Sequence, residues 1–99
     1  MQITHTSSNE LTIIGNIKSI EDSVEIKKAI TDLQQKGARS IVLKIHESFS
    51  MTSTVIGHLM KLVNVDKISV SLVVDDQRLY EILEELNLVK PFNVRLAGR

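Results

Sequence analysis

The stretch Ile41-Val-Leu-Lys-Ile-His-Glu-Ser-Phe-Ser-Met-Thr-Ser-Thr-Val-Ile-Gly-His-Leu-Met60 decides the fold. It opens with a run from Ile41 to Ile45 that is apolar at every position except Lys44, the pattern of a central strand buried on both faces. A polar loop follows, and apolar residues then recur at helical spacing, with Ile56, Leu59, Met60 and Val63 set to face inward. Between strand and helix stand Thr52, Ser53 and Thr54, a hydroxyl cluster at the predicted helix start. Unpaired N–H groups and the positive end of the helix dipole favour anions there, including a phosphoryl group carried on one of those hydroxyls. Such a strand–loop–helix unit suits a phosphorylation switch better than an enzyme.

Outward from this stretch, strands and helices alternate. Gln2 to Thr6 reads as an edge strand and Leu11 to Ile14 as a second strand, stopped by Gly15-Asn16. Ser23 to Lys36 is a helix, because Ile26, Ala29, Ile30 and Leu33 share one face. Ser19 stands three residues before Asp22 in the manner of a capping box, and Gly37 ends the helix. The second helix runs from Ser53 to Val63. Lys67 to Val74 is the next strand, with Ile68, Val70, Leu72 and Val74 on one face. Asp76 to Asn87 is the third helix, striped by Leu79, Ile82, Leu83 and Leu86, and Asn93 to Leu96 closes the chain as a short strand. The order β-β-α-β-α-β-α-β predicts an α/β fold with a mixed, mostly parallel sheet and right-handed crossovers.

Composition bounds the function. Ninety-nine residues, 42% hydrophobic and 24% charged, make one compact domain spanning residues 1–99. Twelve basic and twelve acidic residues cancel, so no general field recruits nucleic acid. Tyr80, Phe49 and Phe92 are too scattered to stack bases. Without cysteine there is neither a disulfide nor a thiolate metal site. The opening Met-Gln-Ile-Thr-His-Thr-Ser-Ser lacks the basic and apolar regions of a signal peptide. No apolar run approaches the roughly 20 residues that span a bilayer. A cytoplasmic protein without membrane insertion is expected.

The stretch from Ile41 to Met60 resembles the signature of the STAS domain family (sulphate-transporter and anti-sigma-factor-antagonist). That signature is an apolar strand ending in Asp, a short loop, and Asp-Ser-Ser-Gly-Leu-Gly opening a helix. Its first Ser falls on Ser53, its Leu on Ile56 and its second Gly on Gly57, while Lys44, Thr52 and Val55 replace the strand-end Asp, the first motif residue and the first Gly. The likeness extends from about Glu10 to Val94, through Ile14-Gly15-Asn16-Ile17 and the closing Leu86-Asn87-Leu88…Phe92.

The resemblance implies a single-domain, STAS-like fold and a bacterial signal-transduction role in protein–protein interaction. Its implied partner is an anti-sigma factor of the serine-kinase type, which phosphorylates Ser53, with Thr52 and Thr54 as lesser candidates. The unmodified domain would sequester that partner, and the phosphoprotein would release it. An alternative implied role is a non-enzymatic subunit bracing the transporter ATPase of a bacterial lipid-transport ABC system.

Under either role Phe49, Ser50, Thr52, Ser53, Thr54 and His58 form the expected contact surface. Phe49 is equally readable as core or as exposed anchor, whereas Met51 is expected to plug the core below the helix start. Lys44 is expected near the loop, where it would pair with a phosphate or with Glu47.

No catalytic group is assembled in the sequence. His5, His46 and His58 lack metal-site spacing and are expected to face solvent, and neither His46 nor His58 has a visible orienting acid. Gly15, Gly37, Gly57 and Gly98 are too far apart for a phosphate-cradling loop. Neither cofactor nor metal is expected.

Overall fold

The computed structural model describes residues 1–97. Five strands and three helices follow in the order β1 (Gln2–Ser7), β2 (Glu10–Ile14), α1 (Ile20–Gln35), β3 (Ser40–His46), α2 (Ser53–Asn64), β4 (Ser69–Val74), α3 (Gln77–Glu85) and β5 (Val94–Leu96). The sheet order is β1-β2-β3-β4-β5, with β1–β2 antiparallel and the other three pairings parallel. The α/β class, the mixed sheet and the central place of β3 match the sequence reading.

Some boundaries move for local reasons. Helix α1 starts at Ile20, three residues earlier than apolar spacing suggests, because the Ser19–Asp22 capping box closes around its first turn. Lys67 has φ +56°, a left-handed bend that delays β4 until Ser69, and Asn93 at φ +47° likewise delays β5.

The expectation that β3 is buried on both faces is corrected. Ile41, Leu43 and Ile45 are buried, while Val42, Lys44 and His46 are only half-buried on the other side. The same alternation holds for Leu11 and Ile13 in β2 and for Val70, Leu72 and Val74 in β4. Strand order explains it. Each parallel crossover is right-handed by the usual rule, and the order advances in one direction, so all three helices fall on one face. The molecule is therefore two layers, and a face carrying Thr12, Ile14, Val42, Lys44, Ser71 and Val73 is left without helices.

Between the layers lies one core. Leu11, Ile13, Ile26, Ile30, Ile41, Leu43, Leu59, Leu62, Leu72, Leu79, Leu83 and Phe92 are almost fully enclosed. The predicted α1 stripe is buried as expected. The α2 and α3 stripes are corrected. On α2 the buried residues are Val55, Leu59 and Leu62, whereas Met60 is 41% exposed. On α3 only Leu79 and Leu83 are buried, leaving Ile82 36% and Leu86 52% exposed.

Candidate functional site

The site lies beyond the carboxyl ends of the parallel strands, where loops of open α/β sheets gather. Chain reversal after β2 starts at Gly15, whose N–H donates to His46 O at 2.9 Å. Its φ of +108° suits glycine, and a Cβ there would stand 3.0 Å from Met1 Cα. Next to it, Asn16 Oδ1 accepts from Phe49 N (3.0 Å) and lies within reach of Ser48 Oγ (3.2 Å) and Ser50 Oγ (3.1 Å). Ile17 N donates to the buried Ser48 Oγ at 3.0 Å, and Ser50 Oγ reaches Ile17 O at 2.9 Å. The β2–α1 and β3–α2 loops are thus tied into one polar knot. Its satisfied groups hold the residues before α2 in place. Ser50 turns its hydroxyl into this knot rather than toward solvent.

Helix α2 begins with a second tie. Thr52 is its N-cap, with Oγ1 accepting from Val55 N at 3.2 Å. Ser23 Oγ on α1 lies 2.7 Å from Thr52 Oγ1 and donates to Ser19 O at 3.1 Å. A hydroxyl has a single hydrogen to give. With Ser23's spent on Ser19 O, Thr52 must donate to Ser23, and the chain runs Val55 N–H to Thr52, Thr52 to Ser23, and Ser23 to Ser19 O. The Thr52 hydroxyl is fully committed. Ser53 and Thr54 lie one and two positions further on, in the first turn, and both are exposed. Among the described residues no side-chain hydrogen bond engages either hydroxyl. The structure thus separates a capping Thr52 from a free Ser53 and Thr54.

Phe49 is 46% exposed, which resolves its two readings toward the surface. The Arg78 guanidinium lies over its ring, 4.7 Å from the centroid. Arg78 is itself held by Asp76, through Nε at 3.0 Å and Nη2 at 2.7 Å. Asp76 also caps α3 by accepting from Arg78 N at 2.8 Å. The guanidinium bonds beside it, reinforced by that backbone N–H, hold its carboxyl down to about 2. Met51 packs against the core, half-buried, as expected.

Asp75 does not serve the α3 terminus. Its carboxylate meets His46 Nδ1 at 3.1 Å and accepts from Glu47 N at 3.1 Å. That contact stabilises Glu47 in a left-handed conformation at φ +61°. His46 therefore has an orienting acid that its own sequence neighbourhood does not reveal. Among the described residues no serine hydroxyl bonds its ring.

Two placements correct the sequence reading. Lys44 projects onto the helix-free sheet face and meets Glu10 at 3.7 Å, away from the pairing with Glu47 that strand position suggested. His58 is not a solvent-facing histidine. Among the described residues its buried Nε2 has no hydrogen-bond partner, and it lies on the flank of α2 toward Lys27 of α1. Desolvation, then the charges of Lys27 and Lys61, lower its pKa, against a smaller opposing pull from Asp66.

Sequence reasoning missed Asn16, Ser23, Ser48, Asp75 and Arg78. Only the Ser/Asn content of the two loops hinted at the knot, since each partner pair is about thirty residues apart. Among the described residues no cluster of three His, Cys, Asp or Glu side chains has metal-binding geometry, and no helix is long and apolar enough to cross a membrane. In comparison with family models, curated proteins and solved structures, nothing matches this chain.

Proposed function

We propose that this chain is a protein-binding regulatory module whose contact surface is the start of α2 with Phe49 beside it, switched by phosphorylation of Ser53. The observation that carries this reading is the division of labour among the three hydroxyls. Thr52 is locked as cap and cross-link, whereas Ser53 is exposed on a pre-formed helix terminus with its hydroxyl free. A kinase can reach that oxygen without undoing the fold.

A phosphoryl group there would add about −1.5 to −2 charges at pH 7, tolerated by the helix N-terminus yet disruptive in a docked interface. The STAS resemblance of the α2 motif supports the same reading and supplies the partner class, an anti-sigma factor of the serine-kinase type. Binding rather than catalysis is proposed, because among the described residues no nucleophile–base pair is assembled around the knot.

The test is affinity for a cognate partner measured for wild type, Ser53→Ala and Ser53→Asp, with melting temperatures alongside. Retained binding in the Ala variant and weakened binding in a folded Asp variant are expected. Equal affinities for all three would reduce Ser53 to a surface hydroxyl and leave a constitutive assembly subunit as the better account.

A further inference from the structure

We infer that the channel between α2 and α3 is a docking groove for an amphipathic helix of a partner protein, apolar on one side with Lys or Arg along one flank. The inference rests on the reading of this chain as a protein-binding module, though not on modification of Ser53.

Side-chain spacing orients the groove. His58 marks the flank of α2 turned to α1, through its proximity to Lys27. Ile56, Met60 and Val63, at i, i+4 and i+7, lie on the opposite flank, turned to α3. Arg78 marks the flank of α3 turned back to α2, since it lies over Phe49 in the loop that precedes α2. Ile82 and Leu86 continue that flank at four-residue steps. Both helices pack on β4, α2 also against α1 and α3 also against β5, so these two flanks belong to neighbouring helices.

That surplus is substantial. Phe49 is 46% exposed, Met60 41%, Ile82 36% and Leu86 52%, and Ile56 and Val63 beside Met60 are half-buried. The two helices run side by side for at most about 13.5 Å, the length of the 9 residues of α3 at about 1.5 Å each. The helix-in-groove mode of recognition reads anchors at i, i+3, i+4 and i+7, a span of about 10.5 Å that fits within this length.

Charge selects the occupant. On α3 the exposed Glu81 and Glu85 lie toward the flank of Arg78 and Ile82, Glu84 lies on the far side, and the one cation of the helix, Arg78, is neutralised by Asp76. On α2 the exposed Ser53, Gly57, Met60 and Asn64 are uncharged, and the exposed Lys61 lies toward the His58 flank, where it meets Asp66 at 3.9 Å. One rim is acidic and the other neutral. A helix with a basic flank over α3 and a small or apolar flank over α2 satisfies both. Ser53 stands at the end of the neutral rim, where a phosphate would add charge beside a docked helix.

The probe is a synthetic 16-residue peptide with Leu at i, i+3, i+4 and i+7, Lys on one flank and Ser on the other. Its controls are the same peptide with Glu for Lys and a scrambled peptide without period. Binding is measured by fluorescence anisotropy and mapped by amide chemical shifts on the full chain. The Lys peptide should bind at least tenfold tighter than either control, with shifts centred on Met60, Ile82 and Leu86. Ile82→Lys and Leu86→Lys, both at exposed positions, should each weaken it at least tenfold with unchanged circular dichroism. The double variant Glu81→Lys/Glu85→Lys should reverse the charge preference.

Equal binding of the Lys and Glu peptides, absent binding at millimolar peptide, or shifts centred on the helix-free sheet face would overturn the inference. So would self-association of the chain that disappears in Leu86→Lys, which would make a second copy the occupant. The Ser53 variants probe the switch and the α3 variants the groove, so either can fail alone.

Discussion

Ser23 Oγ on α1 and Thr52 Oγ1 at the start of α2 lie 2.7 Å apart, joining two helix N-termini through a single pair of hydroxyls. Ser23 is buried, Thr52 is half-buried, and each hydroxyl both accepts and donates within the chain that ends at Ser19 O. This link fixes the position of Ser53 one residue later.

Thr52→Ala removes the cap of α2 and the hydrogen bond to Ser23 together. The expected loss is about 1–2 kcal/mol, a fall in melting temperature of roughly 4–8 °C per kcal/mol for a domain of this size. Ser53→Ala should change stability by less than about 0.5 kcal/mol. Parallel thermal and urea melts check both, and equal losses in the two variants would contradict the assignment of Thr52 as the cap.

Ser53→Asp places a carboxylate in the first turn of α2, where no acidic residue now stands. The dipole should stabilise it by about 0.3–1 kcal/mol at low salt, fading as salt is added. Urea midpoints at two ionic strengths read the effect directly. Loss of partner binding in this variant then reports on the interface and not on unfolding.

Gly57 sits within α2, and an added Cβ would meet nothing within 4 Å. Nothing in the isolated chain demands a glycine there. Gly57→Ala should therefore stabilise by about 0.5–1 kcal/mol, from helix propensity alone. A higher urea midpoint at unchanged slope is the expected readout, and a lower midpoint would place an unseen constraint at this position.

His58 makes stability depend on pH. Its folded pKa lies below the ordinary value of 6.5, so near pH 6.5 the unfolded chain binds the proton more readily. Stability from this group is complete above 6.5 and is lost as pH falls through that value toward the lower folded pKa. Melts between pH 5 and 8 should show this decline, and His58→Leu should flatten it. An unchanged slope in that variant would assign the dependence to another group.

Purified protein should hydrolyse nucleotides, esters and phosphoesters no faster than background. Turnover that survives stringent purification and vanishes in Ser53→Ala would replace the binding reading with a catalytic one.

The sequence alone determined what local chemistry decides. The capping box of α1 spans three residues, the hydroxyls at α2 follow an apolar strand, and alternation of strand and helix implies a parallel sheet. Ser53 at a helix start was legible for that reason. Tertiary structure decided which apolar residues the sheet covers. With all three helices on one face, a stripe from Leu79 to Leu86 is wider than the surface beneath it, and Ile82 and Leu86 stay outside. Only the fold could pair Asn16 with Ser50, Ser23 with Thr52 or His46 with Asp75, because partners 29 to 34 residues apart leave no periodic trace. Helical period sets which side of α2 is apolar, but the width of the sheet sets how much of that side is buried.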